Sequence, residues 1–136
     1  MSVALPWNQL IGEGLLAYGF RGAATRLTAH LMNAVIQDLK QNHSFHQRYH
    51  AEKGTGIGER NSLQGFAPVG LFLQTLGVTI LSATKVKLEG RNLYPWAVTL
   101  KYKGLTIVRG LEQTVVTFSN GESVIVKEEQ PCVVEM

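Results

Sequence analysis

The stretch 43–62 concentrates the residue types most often used in catalysis. Glu52 and Glu59 are its carboxylates. Hydrolysis of a glycosidic bond needs two carboxyl groups, about 5 Å apart in retaining enzymes or about 6.5 to 9.5 Å apart in inverting ones. These two glutamates are therefore the candidate catalytic residues. The competing interpretation is that both are solvated charges, with Glu59 balancing Arg60. Three of the four histidines lie in the same stretch, at His43, His46 and His50.

Other chemistries are less well supported by this stretch. His46 and His50 would share one face of a helix, but zinc needs further ligands and carboxylates behind its histidines. The glycine-rich run 53–58 follows no predicted strand and lacks the spacing of a phosphate-binding loop. No nucleophile elbow surrounds a hydroxyl. The sequence thus predicts histidines that form hydrogen bonds, tight turns at the glycines, and neither a metal nor a cofactor. The hydroxyl residues considered are Ser44, Thr55 and Ser62.

Composition limits the class of protein. The chain has 136 residues, of which 45% are hydrophobic and 17% charged, enough for one ordinary core but not for two independent catalytic domains. The net charge of +3 is spread evenly between the halves, which argues against nucleic-acid binding. No apolar run is long enough to cross a membrane and no secretory signal is evident, so a cytoplasmic location is expected. Cys132, the single cysteine, cannot form an internal disulfide.

Hydrophobic periodicity predicts helices in the first part of the chain. Apolar residues recur at helical spacing over 7–18 and again over 21–42, where Ala24, Leu27, Leu31, Val35 and Leu39 form a stripe. The stretch 42–61 has no period and is predicted to be a functional loop. The almost wholly apolar 65–76 reads as a short third helix that ends at Gly77 and is covered by protein on all sides.

Beyond Gly77 the spacing alternates and β-branched residues dominate, which predicts strands. The sharpest local signal is the Asn120-Gly121 pair between two strand patterns, predicted to form a hairpin with a primed turn. Helices followed by strands without interleaving indicate the α+β class. The predicted organisation is a helical segment over 1–77, with a functional loop at 43–62, and an antiparallel β segment or small sandwich over 78–136.

The run from Phe45 to Gly58 resembles a segment found late in (α/α)6-barrel glycoside hydrolases, especially the processing-glucosidase, trehalase-like and glycogen-debranching-like groups. There the pattern reads approximately Phe-x-Glu-x-Tyr, then Pro-Glu-Thr-Gly, then Gly-x-Gly. The helices up to Asn42 are similar to the last hairpin of that toroid, and 65–77 is similar to its closing helix. The segment from Val78 resembles the β-rich tail appended to many such enzymes.

The resemblance implies site residues one by one. The family's glutamate, often the catalytic base, falls at Gln47, which has no carboxylate to accept a proton. Phe45 and Tyr49 match aromatic positions that pack against or line a sugar site. Gln47, Tyr49 and His50 would contact the sugar, with Glu59 or Glu52 as the nearest carboxylates.

The resemblance also implies that the chain is incomplete as a catalyst. The partner acid of these enzymes comes from an earlier helical hairpin, and six hairpins cannot be built from three helices. We therefore expect a C-terminal segment of a glucosidase-like hydrolase that acts on carbohydrate in an assembly. Either a partner chain supplies the rest of the barrel, or copies of the chain form a homo-oligomer.

The alternative is a different class of protein, a non-catalytic carbohydrate-binding or structural interaction module. Tyr94 and Trp96 would then be stacking platforms for sugar rings. The competing interpretation of Pro95-Trp96 is a hydrophobic plug between sheet and helices.

Overall fold

A computed structural model describes residues 1–136. The chain divides into two compact units, residues 1–72 and 73–136, with the division slightly ahead of the predicted boundary at Gly77. Three helices and antiparallel sheets confirm the α+β class.

The first unit holds two long helices and a three-stranded antiparallel sheet of order β1-β2-β3. Its helices begin and end close to the predicted residues. Pro6 lies in the first turn of α1, where a missing N–H costs nothing, and α2 ends at His43, which takes the left-handed conformation with φ +51°. The elements are β1 (Ser2–Val3), α1 (Leu5–Ala17), α2 (Arg21–Asn42), β2 (His46–His50), β3 (Gly56–Arg60), a 3-10 turn (Leu63–Gly65) and α3 (Val69–Leu76), which runs past the unit boundary.

The predicted functional loop at 43–62 is corrected by the structure, which forms a β-hairpin there. Strands β2 and β3 pair antiparallel, with Tyr49 opposite Gly56 and His46 opposite Arg60. Neither strand alternates apolar and polar residues, so their pairing leaves no signal of period two in the sequence. Helix α2 lies against both strands, and this long-range packing is invisible to a local reading.

The core of the first unit is small and centres on Tyr49. Leu5, Leu31, Val35 and Tyr49 are buried together. Leu10, Ile11 and Tyr18, which carry the predicted apolar spacing of α1, are instead exposed by 56% or more. Helix α1 turns Leu5 and Gly12 inward, and the absent Cβ of Gly12 leaves room for the Leu71 side chain.

The third helix is only partly covered, in contrast to the prediction that protein surrounds it. Leu71 and Leu76 are buried, whereas Phe66 and Val69 are more than half exposed. Pro68 directly precedes the helix and Gly77 follows it with φ +69°, as the breaker residues predict.

The second unit consists of two antiparallel sheets, as predicted for residues 78–136. Their orders are β10-β5-β4 and β6-β7-β8-β9. The strands are β4 (Val78–Ser82), β5 (Lys85–Leu88), β6 (Val98–Tyr102), β7 (Leu105–Arg109), β8 (Thr114–Thr117), β9 (Ser123–Val126) and β10 (Cys132–Glu135).

The predicted hairpin around Asn120-Gly121 is present, but its turn is of a different kind. In this turn only Gly121 has positive φ, at +89°, whereas a type I′ turn needs positive φ at both central residues. Phe118 and Glu122 are joined by a backbone hydrogen bond across a three-residue loop. The primed geometry occurs instead at Lys103-Gly104, with φ of +46° and +84° between β6 and β7.

A buried arginine holds the second unit together. Arg109 is 3% exposed, and its Nε donates to the carbonyl of Leu76. Its Nη1 donates to Thr114 Oγ1, and its Nη2 donates to the carbonyls of Glu89 and Gly90. The planar fork of donors therefore satisfies three backbone carbonyls from two segments and the hydroxyl of Thr114 from a third.

We expect Arg109→Lys to lower the free energy of unfolding by about 3 kcal/mol, because one ammonium cannot replace donors aimed in several directions and leaves buried carbonyls unpaired. Urea unfolding followed by circular dichroism measures the loss. The exposed Arg48→Lys is the matched control and should change stability by less than about 0.5 kcal/mol. Equal losses in the two variants would contradict the role given to Arg109.

Candidate functional site

The site is built around a buried carboxylate on α2. The Asp38 side chain is 1% exposed. Three donors converge on it: Nδ1 of His46 at 2.5 Å, Nδ2 of Asn42 at 2.7 Å, and the hydroxyl of Tyr49. A buried carboxylate is costly unless such hydrogen bonds replace its water. The four residues therefore form one unit, here called the Asp38 cluster.

A β-bulge interrupts the pairing of β2 with β3 in the part of the hairpin where His46 and Tyr49 reach the same carboxylate. Residues three apart on a regular strand point to opposite faces of the sheet. Between His46 and Arg48 one residue of β2, Gln47, faces two residues of β3, Gly58 and Glu59, so the extra residue of the bulge lies on β3. The hydroxyl of Tyr49 also accepts a hydrogen bond of 3.2 Å from the backbone N–H of His46. Gln47, the position that the resemblance gives to the catalytic base, lies in this irregularity.

Gly56 allows β3 to pack directly on the cluster. A Cβ atom at this position would collide with Nδ1 of His46 and Oδ2 of Asp38. The need for glycine is steric, since its φ is not in the left-handed region. Gly56 therefore contributes close approach, while Gly54 and Gly58 of the same run have φ of +66° and +87°.

Burial of Tyr49 raises the pKa of its phenol above the ordinary 10.0. The hydrogen bond from the backbone of His46 lowers this pKa, whereas the charge of Asp38 and the hydrogen bond to it raise it further. The phenol therefore stays protonated in the folded chain to a higher pH than it would in the unfolded chain.

A cavity of about 250 Å³ opens between α2 and the turn of the β2–β3 hairpin, and is here called the α2–hairpin pocket. Its floor is apolar, formed in part by Leu5, Leu31 and the ring of Tyr49. Residues spaced three and four apart on α2 line one side because they share a face of the helix. The polar lining residues are His30, Asn33 and Gln37 from α2 and His50, Glu52 and Lys53 from the hairpin.

The structure places three predicted site residues in the α2–hairpin pocket and three elsewhere. Tyr49, His50 and Glu52 line the pocket. Phe45 packs its ring against Phe66 with centroids 4.9 Å apart. The side-chain amide of Gln47 donates to that of Gln64 at 3.1 Å. Glu59 is exposed on β3.

Glu52 and Glu59 are not brought together as a catalytic pair. Glu52 lies in the turn beyond His50, and Glu59 lies near the opposite end of the hairpin, beside Arg60. About four residues along the hairpin separate Glu59 from the turn that holds Glu52. At the rise of a β-strand this corresponds to about 13 Å. That distance exceeds the spacing that glycosidases use. The guanidinium of Arg60 donates to Ser44 Oγ and to the carbonyl of Asn42.

The other histidines have different environments. His50 accepts hydrogen bonds at Nδ1 from the backbone N–H groups of Glu52 and Lys53, both at 3.3 Å. His43 ends α2, and His30 is exposed on α2. No three or more His, Cys, Asp and Glu side chains group closely enough to hold a metal ion.

Sequence reasoning missed the partnership of Asp38 with His46, although α2 contains a signal for it. The apolar stripe passes through Leu31 and Val35, and its next position is either Asp38 or Leu39. The structure buries Asp38 and leaves Leu39 43% exposed. A carboxylate on an apolar stripe requires a buried hydrogen-bonding partner, so this position could have directed attention to the nearby histidines.

Comparisons with family models, with curated proteins and with solved structures gave no match to this chain. None of its helices combines the length and the apolar character needed to cross a membrane.

We expect Tyr49→Phe to lower the free energy of unfolding by about 2 kcal/mol at pH 7, because the Asp38 carboxylate loses a buried donor. Since the pKa of Tyr49 is raised by folding, its stabilising effect is complete below pH 10 and falls as the pH rises above 10 toward the folded pKa. Urea unfolding of both proteins at pH 7 and pH 11 checks this. A difference between them that stays constant or widens at pH 11 would contradict the pKa shift.

Proposed function

We propose that this chain is a carbohydrate-binding segment of a glycoside-hydrolase-like toroid of paired helices, incomplete as a catalyst alone and working in an assembly. The observation that carries the proposal is the α2–hairpin pocket, which contains Tyr49, His50 and Glu52. The resemblance to such enzymes implies that Tyr49 and His50 contact the sugar and that Glu52 is one of the nearest carboxylates.

The lining of the pocket suits a sugar ring. Amides such as Asn33 and Gln37 both donate and accept hydrogen bonds, as hydroxyl groups do. Tyr49 and Leu31 also line the pocket but are only 2% and 4% exposed, so most of the surface that a ring would contact belongs to the other lining residues. At about 250 Å³ the pocket is smaller than those that hold drug-sized ligands, which favours a single sugar unit.

The pocket supports binding rather than complete hydrolysis. Glu52 is the one carboxylate among the residues that line it. Glycoside hydrolysis requires two carboxyl groups on opposite sides of the bond. In our proposal Glu52 can serve as one of them only when another chain segment or a partner chain supplies the second, as in a glucosidase completed by assembly.

The outer face of α1 supports the assembly. The exposed fractions are 71% for Trp7, 58% for Leu10, 56% for Ile11 and 83% for Tyr18. These four side chains fall within about 100° of one another around the helix and form a continuous stripe. Because Leu5 and Gly12 are buried on the other side, α1 is apolar on both faces, which is typical of a helix placed between two others.

The proposal includes the cytoplasmic location expected from the sequence. The free thiol of Cys132 is compatible with a reducing compartment.

A second candidate function rests on one pair of rings in the second unit. Trp96 stacks on Tyr94 with centroids 4.8 Å apart and planes 8° apart. Tyr94 is buried, whereas Trp96 is 49% exposed. The buried aromatic side chain of this segment is therefore that of Tyr94 and not that of Trp96. An indole with one face covered and the remainder in solvent can stack on a sugar ring, as a non-catalytic carbohydrate-binding module requires.

We expect methyl glucosides to shift the backbone amide resonances of the α2–hairpin pocket in ¹H–¹⁵N spectra. Gln37→Ala should weaken this binding about fivefold, because it removes one hydrogen bond worth about 1 kcal/mol. Gln41→Ala changes the same residue type one turn further along α2, outside the pocket, and should leave the affinity unchanged.

Saturating sugar without any shift in the pocket, or equal affinities of the two variants, would overturn the proposed binding site. Shifts confined to the Trp96 indole would favour the second candidate instead.

We expect the isolated chain to self-associate through the outer face of α1, because nothing else covers that stripe. Sedimentation velocity should show oligomers that grow with protein concentration. The double variant Leu10→Gln/Ile11→Gln should remain monomeric with an unchanged circular dichroism spectrum. Leu63→Gln alters a still more exposed apolar residue outside the stripe and should associate like the unmodified chain. A wild-type chain that stays monomeric at all concentrations would contradict the assembly.

A further inference from the structure

The imidazole of His46 is bound on one edge only. Its Nδ1 lies 2.5 Å from the Asp38 carboxylate, and the backbone of Gly56 packs against the same edge. Its Nε2 makes no hydrogen bond within the chain, yet it is not among the buried unpaired atoms, a group that comprises only Thr25 Oγ1. The 14% of the His46 side chain that is exposed therefore includes Nε2.

Asp38 determines which nitrogen of His46 carries the proton. An ionised carboxylate can only accept hydrogen bonds, so Nδ1 must be the donor. In the neutral imidazole the other nitrogen, Nε2, then has a lone pair and no proton. Asn42 and the hydroxyl of Tyr49 also donate to Asp38, which holds the carboxylate in place for this contact.

We propose that Asp38 and His46 form a proton-accepting pair, in which Nε2 of His46 takes a proton from a hydroxyl group of water or carbohydrate at the surface of the first unit. The O–H bond of the hydroxyl breaks as an N–H bond forms at Nε2, and its oxygen keeps the electron pair. The resulting imidazolium holds a proton on each nitrogen and is stabilised by the negative charge of Asp38. It returns the Nε2 proton to solvent or to a leaving oxygen, so no other reactant is needed.

Asp38 is a positioning residue in this pair, and His46 is the group that accepts the proton from the hydroxyl. His46 directly precedes Gln47, the position without a carboxylate to accept a proton, so the pair supplies an acceptor at the same point of the chain. The choice of carbohydrate as the hydroxyl donor rests on the proposed function, whereas the pair itself does not.

His50 provides an internal comparison on the same strand. Its Nδ1 accepts hydrogen bonds from two backbone N–H groups, so its proton lies on Nε2. The structure therefore assigns opposite tautomers to two histidines four residues apart.

Long-range ¹H–¹⁵N spectra of the histidine side chains test the assignment in the unmodified chain, with no variant needed. In alkaline solution, where imidazole is neutral, we expect the Nδ1–H tautomer for His46 and the Nε2–H tautomer for His50. His46 in the Nε2–H tautomer, or an even mixture of tautomers, would overturn the proposal.

Reaction with diethyl pyrocarbonate then tests whether Nε2 is available to a reagent. We expect Asp38→Asn to slow modification of His46 about tenfold, because the amide can donate to Nδ1 and so place the imidazole proton on Nε2. Peptide mass spectrometry measures the rate at each histidine, and the rate at exposed His30 should not change. Equal rates at His46 in the two proteins would overturn the proposal.

Asn42→Ala is a milder variant that keeps the carboxylate and should preserve both the tautomer and the reactivity of His46, whereas loss of either would contradict the assignment. The outcomes for the pair and for the proposed function are separate. If methyl glucosides fail to bind while His46 shows the expected tautomer and reactivity, the proposed function fails and the pair stands with water as its hydroxyl.

Discussion

Removing the Asp38 carboxylate from water is the constraint on which the first unit depends. The charge needs donors from outside its own helix, and Asn42, one turn away, supplies only one of them. The others, His46 and Tyr49, come from β2, whose pairing with β3 is interrupted by a bulge between His46 and Arg48. Strand β3 can cover the cluster only with a glycine at position 56. One buried charge thus fixes the bulge, the register of the hairpin and its packing on α2.

The parts of the fold that follow from local patterns were predictable. The α2 stripe repeats over about six turns, so its bounds are clear from the sequence, and Gly77 marks the end of α3. The hairpin 46–60 was not predictable in this way, because its strands gain stability from the Asp38 cluster rather than from alternation. The two turns show the same limit. Asn120-Gly121, whose composition favours a primed turn, does not form one, whereas Lys103-Gly104 does.

The candidate site was predictable in outline only. Tyr49, His50 and Glu52 were identified by type and resemblance, and they share one pocket because the hairpin bends back over α2. A flexible loop over this stretch leaves the separation of Glu52 and Glu59 open, because any two residues of such a loop can approach each other. A paired strand of fixed rise removes that freedom and separates them.

Tyr49 links the α2–hairpin pocket to the proton-accepting pair. Its ring lines the pocket floor, while its hydroxyl is held by Asp38 and by the backbone of His46. Hydrogen bonds at the far end of a buried ring restrict its rotamers, so the floor is ordered before any ligand arrives and less conformational entropy is lost on binding. The dependence also runs the other way: a ligand that fills the pocket restricts the movement of Tyr49 away from the position in which its hydroxyl bonds Asp38. Binding in the pocket should therefore stabilise the geometry in which His46 is fixed.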